Sequence, residues 1–477
     1  VRQRAVKGVV VLTGRTFVLS FISLAATALL TVFLEPSHFG IFWIVSAVVN
    51  FLVYFSDVGL AAALIQAKEK PQESDLKTTF TIQILLVLVL LVTLAAFAPY
   101  IRKLYSLSPE GMMLLGSLAV SLIFSSLKTI PSVLMERELE FEKLVIPQVL
   151  ETLVYSVVAV FLAWKGLGVT SFTLAVLARG LIGLITTYIL KPWVPGFTFN
   201  RVAAKRLLTF GLPYQANSLL ALIKDDGLTV TLGIILGPVG IGLLGWAQKW
   251  GYAPLRFFMD HVLKVTFPAF ARMQEDPKSL ERAVNRSIFF ICFLVFPSLV
   301  GLLSIAPILI DIIPKYEKWQ PALVPLFLIG ISTIFAPITS QLTNLLTSIG
   351  RIKVTFILMI MWTVLTWILV PVLAIKYGVN GAAAGYAAVA PSSIVAIFLA
   401  RKFVKFSLVD SALKPAIASA VMGIILFGIR KILPPTPLSL LVLVLSGIIT
   451  YTISIYLLVG ASLSSDIKRS LRTLFSR

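Results

Sequence analysis

Three consecutive ionisable residues, Lys224, Asp225 and Asp226, interrupt the apolar stretch LLALIKDDGLTVTLGIIL, which runs from Leu219 to Leu236. The stretch is long enough to cross a membrane, where a charge at the bilayer centre costs roughly 2.5 to 3.5 kcal/mol. Buried charges of this kind serve a transport pathway or pair with a neighbouring helix. Lys224 is therefore a candidate cargo contact, and Asp225 and Asp226 are candidates for coupling to Na⁺ or H⁺.

Further bases recur at helical spacing in other apolar stretches. Lys249 and Arg256 are seven residues apart, as are Asn217 and Lys224, so each pair shares one helix face. Arg15 stands beside a stripe of Thr and Ser residues on the first apolar stretch. These faces predict a polar cavity with a basic excess, and its main cationic residues are predicted to be Arg15, Lys224, Lys249 and Arg256.

A second group of polar residues is predicted to line the same cavity less directly. It comprises Asn50, Asp57, Lys128, Arg179 and Asn217. Asp57 and Lys128 are close to predicted span ends, so helix capping or extension toward the membrane surface is an equal alternative for them. For the deeper bases the alternative is a helix-packing role.

The composition places these residues in a membrane protein. Of 477 residues, 58% are hydrophobic and 13% charged, which is far from the balance of a soluble domain. The formal charge of +20 could suggest a nucleic-acid partner. However, loops on the side of the N-terminus hold about three times as many Lys and Arg as those opposite, so the excess follows the positive-inside rule. We expect a multi-pass protein of the cytoplasmic membrane with both termini cytoplasmic and no nucleic-acid partner.

Apolar runs of about 20 residues predict an all-α protein with fourteen transmembrane helices. The first six lie near 8–34, 39–66, 78–99, 111–135, 144–164 and 168–190, and the next six near 207–235, 239–267, 287–312, 321–348, 353–375 and 379–400. The last two lie near 415–429 and 437–460. This order predicts an N-terminal six-helix lobe (1–190), a basic cytoplasmic connector (191–206), a C-terminal six-helix lobe (207–403), and two added helices with a basic tail (404–477).

A weak internal repeat supports the two-lobe organisation. The segments LEPSHFGIFW, from Leu34, and LGPVGIGLLG, from Leu236, share Leu, Pro and Gly at equal spacing. Each segment joins the first and second long spans of its lobe. Transporters are commonly built from duplicated halves that move against each other around a central site.

Several kinds of chemistry are absent from the sequence. Cys292 is the single cysteine, so a disulfide within the chain is impossible, and the two histidines lie in no metal-ligand spacing. The dipeptide Gly-Lys does not occur, which excludes a Walker A phosphate loop. No predicted loop exceeds about 20 residues, which disfavours a membrane polymerase or ligase with a catalytic loop. We expect neither an enzyme nor a metal or cofactor protein, with Na⁺ or H⁺ coupling left open.

Four segments resemble the oligosaccharide flippases, the polysaccharide-export branch of the multidrug/oligosaccharidyl-lipid/polysaccharide exporter superfamily. They are FSDVGLAAALIQ (55–66), RELEFEKL (137–144), FGLPYQANSLL (210–220) and FPAFARMQEDPKSLERA (267–283). The resemblance covers essentially the whole chain, and it specifies no substrate. Relatives often carry an acid at the position of Leu228, so the usual ion-coupling acid is absent here unless the helix register shifts.

The resemblance implies a V-shaped pair of six-helix lobes that flips polyprenyl-diphosphate-linked oligosaccharides by alternating access. Arg15 and Lys249 fall where family members often have a basic residue. Lys224 and Arg256 are candidates only because each shares a helix face with another polar residue. The predicted cargo is a repeat unit of O-antigen, capsule or exopolysaccharide, and polymerase machinery is a possible partner. The alternative is a cation-coupled multidrug exporter of the same superfamily, which would favour an acidic cavity over this basic one.

Overall fold

The computed structural model describes residues 2–67 and 69–460. Side chains are described throughout these ranges except at 2–13, 214, 216–218, 220, 221, 260 and 261. The described residues form helices joined by short turns, with no β-strand among them. The C-terminal tail predicted within 404–477 lies beyond residue 460, outside the described residues. The chain divides into two compact units, Val1–Gly245 and Trp246–Arg477.

The first unit contains eight helices and the first part of a ninth. They are α1 (Arg2–Phe33), α2 (Pro36–Asp57), α3 (Leu60–Gln66), α4 (Glu73–Leu104), α5 (Pro109–Arg137), α6 (Phe141–Trp164), α7 (Thr170–Leu190), α8 (Arg201–Leu222) and α9 (Leu228–Gly251). A single π-helical turn, Ile223–Gly227, joins α8 to α9. The boundary between the units falls within α9.

The second unit continues with the end of α9 and seven further helices. These are α10 (Ala253–Met273), α11 (Pro277–Ile312), α12 (Leu323–Ser348), α13 (Ile352–Val389), α14 (Ser393–Arg401), α15 (Lys414–Ile432) and α16 (Pro437–Val459). The core of this unit forms on α11, where Val284, Ile288 and Ile291 are fully buried at helical spacing against Leu342 and Leu345 of α12. Cys292 is buried in the same cluster.

The chain is a polytopic all-α membrane protein. Twelve helical stretches within the described residues are long and apolar enough to span a membrane. Two of them, Ile223–Gly251 and Ile352–Arg401, each combine parts of two predicted spans. Both contain a glycine with non-helical backbone angles, Gly237 at φ 64° and Gly378 at φ 61°. Counting Ile352–Arg401 as two spans divided at Gly378 accounts for one of the two spans by which this number differs from the predicted fourteen.

The repeated segments of the sequence meet in the structure at a reciprocal helix crossing. A Cβ atom added to Gly40 of α2 would lie 2.5 Å from the carbonyl carbon of Pro238 in α9. A Cβ added to Gly242 of α9 would lie 2.5 Å from the carbonyl carbon of Pro36 in α2. Pro36 and Gly40 are the repeat equivalents of Pro238 and Gly242, so each half contributes the same glycine and the same carbonyl. The crossing thus has the self-complementary form of a two-fold contact.

A second close approach joins α2 to α8 at the other end of α2. The chain turns between α2 and α3 through Val58 at φ 52° and Gly59 at φ 74°. A Cβ on Gly211 of α8 would lie 2.6 Å from the carbonyl oxygen of Val58. Only glycine leaves room for the backbones to pack this closely. The α2 helix is therefore held against the α8–α9 segment near both of its ends.

Arg137, at the end of α5, caps the C-terminus of α3. Its guanidinium donates to the carbonyl oxygens of Ala67 at 2.8 Å and Glu69 at 2.8 Å, and also to that of Leu64. These carbonyls have no partner within the short helix, so the charged donor satisfies groups that a helix end leaves open.

Replacing Arg137 by Met should lower the free energy of unfolding by about 2 kcal/mol, because charge-assisted hydrogen bonds of this type contribute about 1.5 to 3 kcal/mol. Denaturant or thermal unfolding of the purified protein measures the change. The matched control is Arg102→Met, since Arg102 is an exposed base at the end of α4. Equal stability of the two variants would contradict a capping role for Arg137.

The connector between α7 and α8 is attached to its neighbours by polar contacts. Nη2 of Arg206 lies 2.7 Å from Oδ1 of the buried Asp75, and the backbone amide of Asn200 donates to the Thr78 hydroxyl oxygen at 3.1 Å. At the start of the connector, Lys191 pairs with Glu138, and this contact raises the pKa of Lys191. The predicted connector of residues 191–206 is thus an ordered segment that includes the first residues of α8.

Because the pKa of Lys191 is raised, the ion pair that attaches the connector should break at high pH. A base whose pKa is higher in the folded protein contributes stability that is fully present below the unfolded pKa and is lost as pH rises through the folded pKa. Proteolysis within residues 192–199 should therefore accelerate above about pH 10.5, the region where lysine titrates. In Lys191→Met the rate near neutral pH should already be raised, and a rate equal to wild type would contradict this attachment.

Candidate functional site

Three bases from three different helices converge on one face of α6. The carboxylate of Glu151 pairs with Lys128 of α5 and lies 3.5 Å from Nε of Arg179 in α7. Arg15 of α1 donates from Nη1 to the side-chain oxygen of Gln148 at 2.5 Å, one turn before Glu151 on α6. We call Arg15, Lys128, Gln148, Glu151 and Arg179 the α6 cluster.

The α6 cluster lies deep within the spans. From Phe141, where α6 begins, to Glu151 the helix rises about 15 Å, which is half the thickness of a bilayer core of about 30 Å. The Glu151 side chain is 8% exposed, whereas that of Arg179 is 54% exposed. An exposed guanidinium is costly in hydrocarbon, so its surroundings must be polar during function.

Gly183 of α7 makes room for the Glu151 carboxylate. A Cβ atom at position 183 would lie 2.6 Å from the carboxyl carbon of Glu151. Because neighbouring side chains rarely approach so closely, any larger residue would displace the carboxylate from its position between Lys128 and Arg179. Helix α7 thus provides both one cationic partner of Glu151, Arg179, and, at Gly183, the space that its carboxylate occupies.

The opening stretch of charges lies in the π-helical turn Ile223–Gly227. Such turns insert one residue into a helix and are frequent at functional sites. The predicted common face of Asn217 and Lys224 assumes a regular α-helix between them, whereas Lys224 lies in this π turn, where the angle per residue differs. Asn217 itself lies outside the residues whose side chains are described.

The three charged residues of this turn have different surroundings. Asp226 accepts a long hydrogen bond from Nδ2 of Asn50 in α2, at 3.5 Å. Asp225 is 72% exposed and lies 3.8 Å from Lys224, its sequence neighbour. Asp226 therefore faces α2, and Lys224 and Asp225 lie on the more open side of the turn.

Two backbone-directed hydrogen bonds hold α2 to α8 beside Asp226. Nε2 of Gln215 donates to the carbonyl oxygen of Tyr54 at 2.6 Å, and the Tyr54 hydroxyl donates to the carbonyl oxygen of Gln215. Sequence reasoning did not single out this reciprocal pair, because neither residue is charged and their contact depends on the placement of two helices.

Asp57 has a local structural role. One of its carboxylate oxygens accepts from the backbone amide of Ala61 at 3.2 Å and from the side chain of Gln83. These contacts cap the start of α3, which supports the capping alternative for this residue. Asp57 is the candidate whose contacts least suggest a cargo-binding role.

The remaining predicted bases are in the second unit. Lys249 is near the end of α9 and is half-buried, whereas Arg256 is on α10 and exposed. Only Tyr252 separates the two helices, and the Arg256 amide donates to the Tyr252 carbonyl at 3.0 Å, so the helical path continues between the bases. Their predicted common face is compatible with this nearly continuous helix.

An apolar cavity of about 240 Å³ lies beside the π turn in the first unit. It is lined by α2, α4, the last residue of the π turn and the start of α9, with Phe51, Leu94, Phe97, Gly227 and Val230 among its residues. Its walls suit hydrocarbon rather than an ion. Within residues 2–67 and 69–460, no group of three or more His, Cys, Asp or Glu side chains is placed to hold a metal ion.

The chain is thus an all-helical membrane protein in which three bases and one acid meet near the middle of a span. Comparison with known proteins gives the family. The profile described as "Polysaccharide biosynthesis protein" matches residues 29–324, and the chain belongs to this family.

Two curated relatives are similar over most of this chain. The succinoglycan biosynthesis transport protein ExoT of Rhizobium meliloti (strain 1021) is 25% identical over 61% of this chain and 58% of its own length. The lipopolysaccharide biosynthesis protein WzxC of Escherichia coli (strain K12) is 22% identical over 74% of this chain and 72% of its own. The match to ExoT thus spans less than two thirds of that relative.

A solved structure shares the fold. The lipid II flippase MurJ, in an inward closed conformation, superposes with a TM-score of 0.76 over 94% of this chain and 98% of that chain. The sequence identity is 17%, so the likeness concerns the fold. The predicted membership of the polysaccharide-exporter group and the predicted all-α membrane fold are both confirmed.

Proposed function

We propose that this protein is a flippase that moves a polyprenyl-diphosphate-linked oligosaccharide across the cytoplasmic membrane by alternating access. The names of its relatives place them in polysaccharide biosynthesis, one as a transport protein. Such a cargo has an apolar tail, an anionic diphosphate and a hydrated sugar. The chain would have to provide a suitable environment for each part.

The observation that carries the proposal is the convergence of Arg15, Lys128 and Arg179 on α6 with only Glu151 as a counter-ion among them. A diphosphate in hydrocarbon would be stranded without cationic partners, and guanidinium groups bind phosphate oxygens through paired donors. Lys224, Lys249 and Arg256 are proposed as further cationic contacts along the path. The sugars would occupy the hydrated space around these residues.

The orientation is part of the proposal. The Lys and Arg bias of the loops favours cytoplasmic N- and C-termini, and transfer would run from the cytoplasmic to the outer leaflet. A polysaccharide polymerase acting on the flipped unit is a proposed partner. Transfer of the cargo between leaflets requires no catalysis by this chain. Its relatives are named as transport or biosynthesis proteins rather than as enzymes.

A multidrug exporter with the same kind of fold is the second candidate. A cationic drug would need acids in its pathway, whereas the α6 cluster carries three bases and one acid. The cluster therefore disfavours a cationic cargo by direct charge repulsion.

Deletion of the gene in its host tests the proposal. Lipid-linked oligosaccharide should accumulate in the cytoplasmic leaflet, and the wild-type gene on a plasmid should return it to the control amount. A multidrug exporter would instead give increased drug susceptibility with normal lipid-linked oligosaccharide, and that outcome would overturn the proposal.

Coupling of transport to Na⁺ or H⁺ through Asp225 or Asp226 is a further proposed feature. In the double variant Asp225→Asn/Asp226→Asn, flipping should lose its dependence on an imposed Na⁺ or pH gradient. The measurement compares flipping rates in vesicles with and without each gradient. Full gradient-driven flipping by the double variant would exclude both acids as the coupling groups.

A further inference from the structure

Glu151 is a buried carboxylate to which the proposed transport gives no direct role. It lies near mid-span on α6 and is 8% exposed. Its position is specified by the Lys128 and Arg179 contacts and by the space left at Gly183. A buried acid is costly in a membrane, so this arrangement calls for a functional reason.

Arg179 is positioned to exchange one anion for another. Its contact with Glu151 uses Nε at 3.5 Å, longer than a strong charge-assisted hydrogen bond. The terminal amino groups, which form the fork that recognises phosphate, are not committed to that contact. With its side chain 54% exposed, Arg179 can reach a ligand without first being uncovered.

Arg15 provides a second open donor at the same face. Its Nη1 is bonded to Gln148, while its Nε is buried and has no hydrogen-bond partner among the described residues. A buried guanidinium donor without an acceptor is unfavourable, and an incoming oxyanion would supply one. Gln148 and Glu151 are three residues apart on α6, so Arg15 is held on the same helix face as the Glu151 pair.

We propose that Glu151 is the resident counter-anion of a diphosphate-binding site formed by Arg15 and Arg179, and that the cargo displaces it from Arg179. This inference rests on the proposed function and deepens it. Without cargo, Glu151 holds both Lys128 and Arg179. When a diphosphate enters, Arg179 turns its terminal amino groups to the phosphate oxygens, and Lys128 remains with Glu151.

The exchange gives the site a way to release its cargo. A cluster of bases without an internal acid would bind a diphosphate tightly and retain it. Glu151 competes for Arg179 throughout the cycle, so it weakens binding of the diphosphate and recaptures the guanidinium as the cargo leaves. Removing the competitor should therefore tighten binding and slow transport.

Binding of farnesyl diphosphate to the purified full-length protein in lipid nanodiscs tests the exchange. Glu151→Gln should bind about tenfold more tightly than wild type, a change of about 1.4 kcal/mol. The matched control Glu142→Gln removes the same charge from the exposed start of α6 and should leave the affinity unchanged. Arg179→Lys should bind more weakly than wild type, because lysine lacks the planar fork.

A second variant keeps the charge and moves only the carboxylate. In Gly183→Ala the added methyl group would displace the Glu151 carboxylate from its position between Lys128 and Arg179, so farnesyl diphosphate should again bind more tightly. Thermal unfolding identifies variants that are not folded. Unchanged or weaker binding by folded Glu151→Gln and Gly183→Ala overturns the exchange. If both variants bind farnesyl diphosphate more tightly but the wild-type protein flips no lipid-linked oligosaccharide, the diphosphate-binding site is supported and the proposed function is wrong.

Discussion

Replacing Gly40 by Ala is expected to reduce both stability and transport, although alanine is normally the better helix residue by about 1 kcal/mol. The new Cβ atom would lie 2.5 Å from the carbonyl carbon of Pro238. Because the obstacle is backbone rather than a flexible side chain, α2 and α9 must move apart. Overpacking of this kind costs about 1 to 3 kcal/mol, so we expect a loss of about 2 kcal/mol in unfolding free energy.

Gly242, the repeat equivalent of Gly40, provides a second test of the same crossing. Gly242→Ala should have an effect of similar size, because its Cβ would meet the Pro36 carbonyl in the equivalent geometry. The double variant should cost less than the sum of the two single variants, since helices already separated by one methyl group accommodate the other. Strict additivity would show that the two contacts are independent and would contradict a shared crossing.

Gly116 offers a matched control on α5. A Cβ at this position would have nothing within 4 Å, so Gly116→Ala should be neutral or slightly stabilising. Thermal unfolding and the flipping rate are measured on all four variants at equal expression. Wild-type stability and flipping in Gly40→Ala would contradict the close crossing itself.

Neutralising the two arginines of the α6 cluster is expected to have the largest effect on transport. Arg15→Gln or Arg179→Gln removes a charged donor from the proposed diphosphate site, and each such contact contributes about 1.5 to 3 kcal/mol. Flipping should fall by about tenfold to a hundredfold in each single variant. The rate is measured with purified protein in vesicles that contain lipid-linked oligosaccharide.

The control for this loss is Lys103→Gln, which removes an exposed base at the end of α4 and should flip at the wild-type rate. Thermal unfolding separates loss of function from loss of fold. Wild-type flipping by folded Arg15→Gln and Arg179→Gln would exclude the α6 cluster as the diphosphate site.

The membrane fold could be predicted from the sequence because each span is a local property. Apolar runs of sufficient length place the helices, and the repeated Pro and Gly of the segments at Leu34 and Leu236 indicate a duplication before any contact is known. Their reciprocal contact could not be predicted, because it depends on how two distant helices cross.

The three bases of the α6 cluster were predicted from the sequence as separate candidates, but Gln148 and Glu151 and the arrangement of the five residues were not. The position of a base within a predicted span contains no information on which neighbouring helix that base faces. Their common partner, α6, carries Gln148 and Glu151 three residues apart. The π turn at Ile223–Gly227 was missed because angles computed for a regular helix do not apply across an inserted residue.

The most direct test of the account is a flipping assay with purified protein in sealed vesicles that contain polyprenyl-diphosphate-linked oligosaccharide. Sugar transferred to the opposite leaflet is detected by its access to a membrane-impermeant glycosidase. We predict that wild-type protein exposes the inner-leaflet pool, that Arg15→Gln/Arg179→Gln does not, and that neither moves a cationic dye. Equal exposure in protein-free and wild-type vesicles would contradict the proposed function.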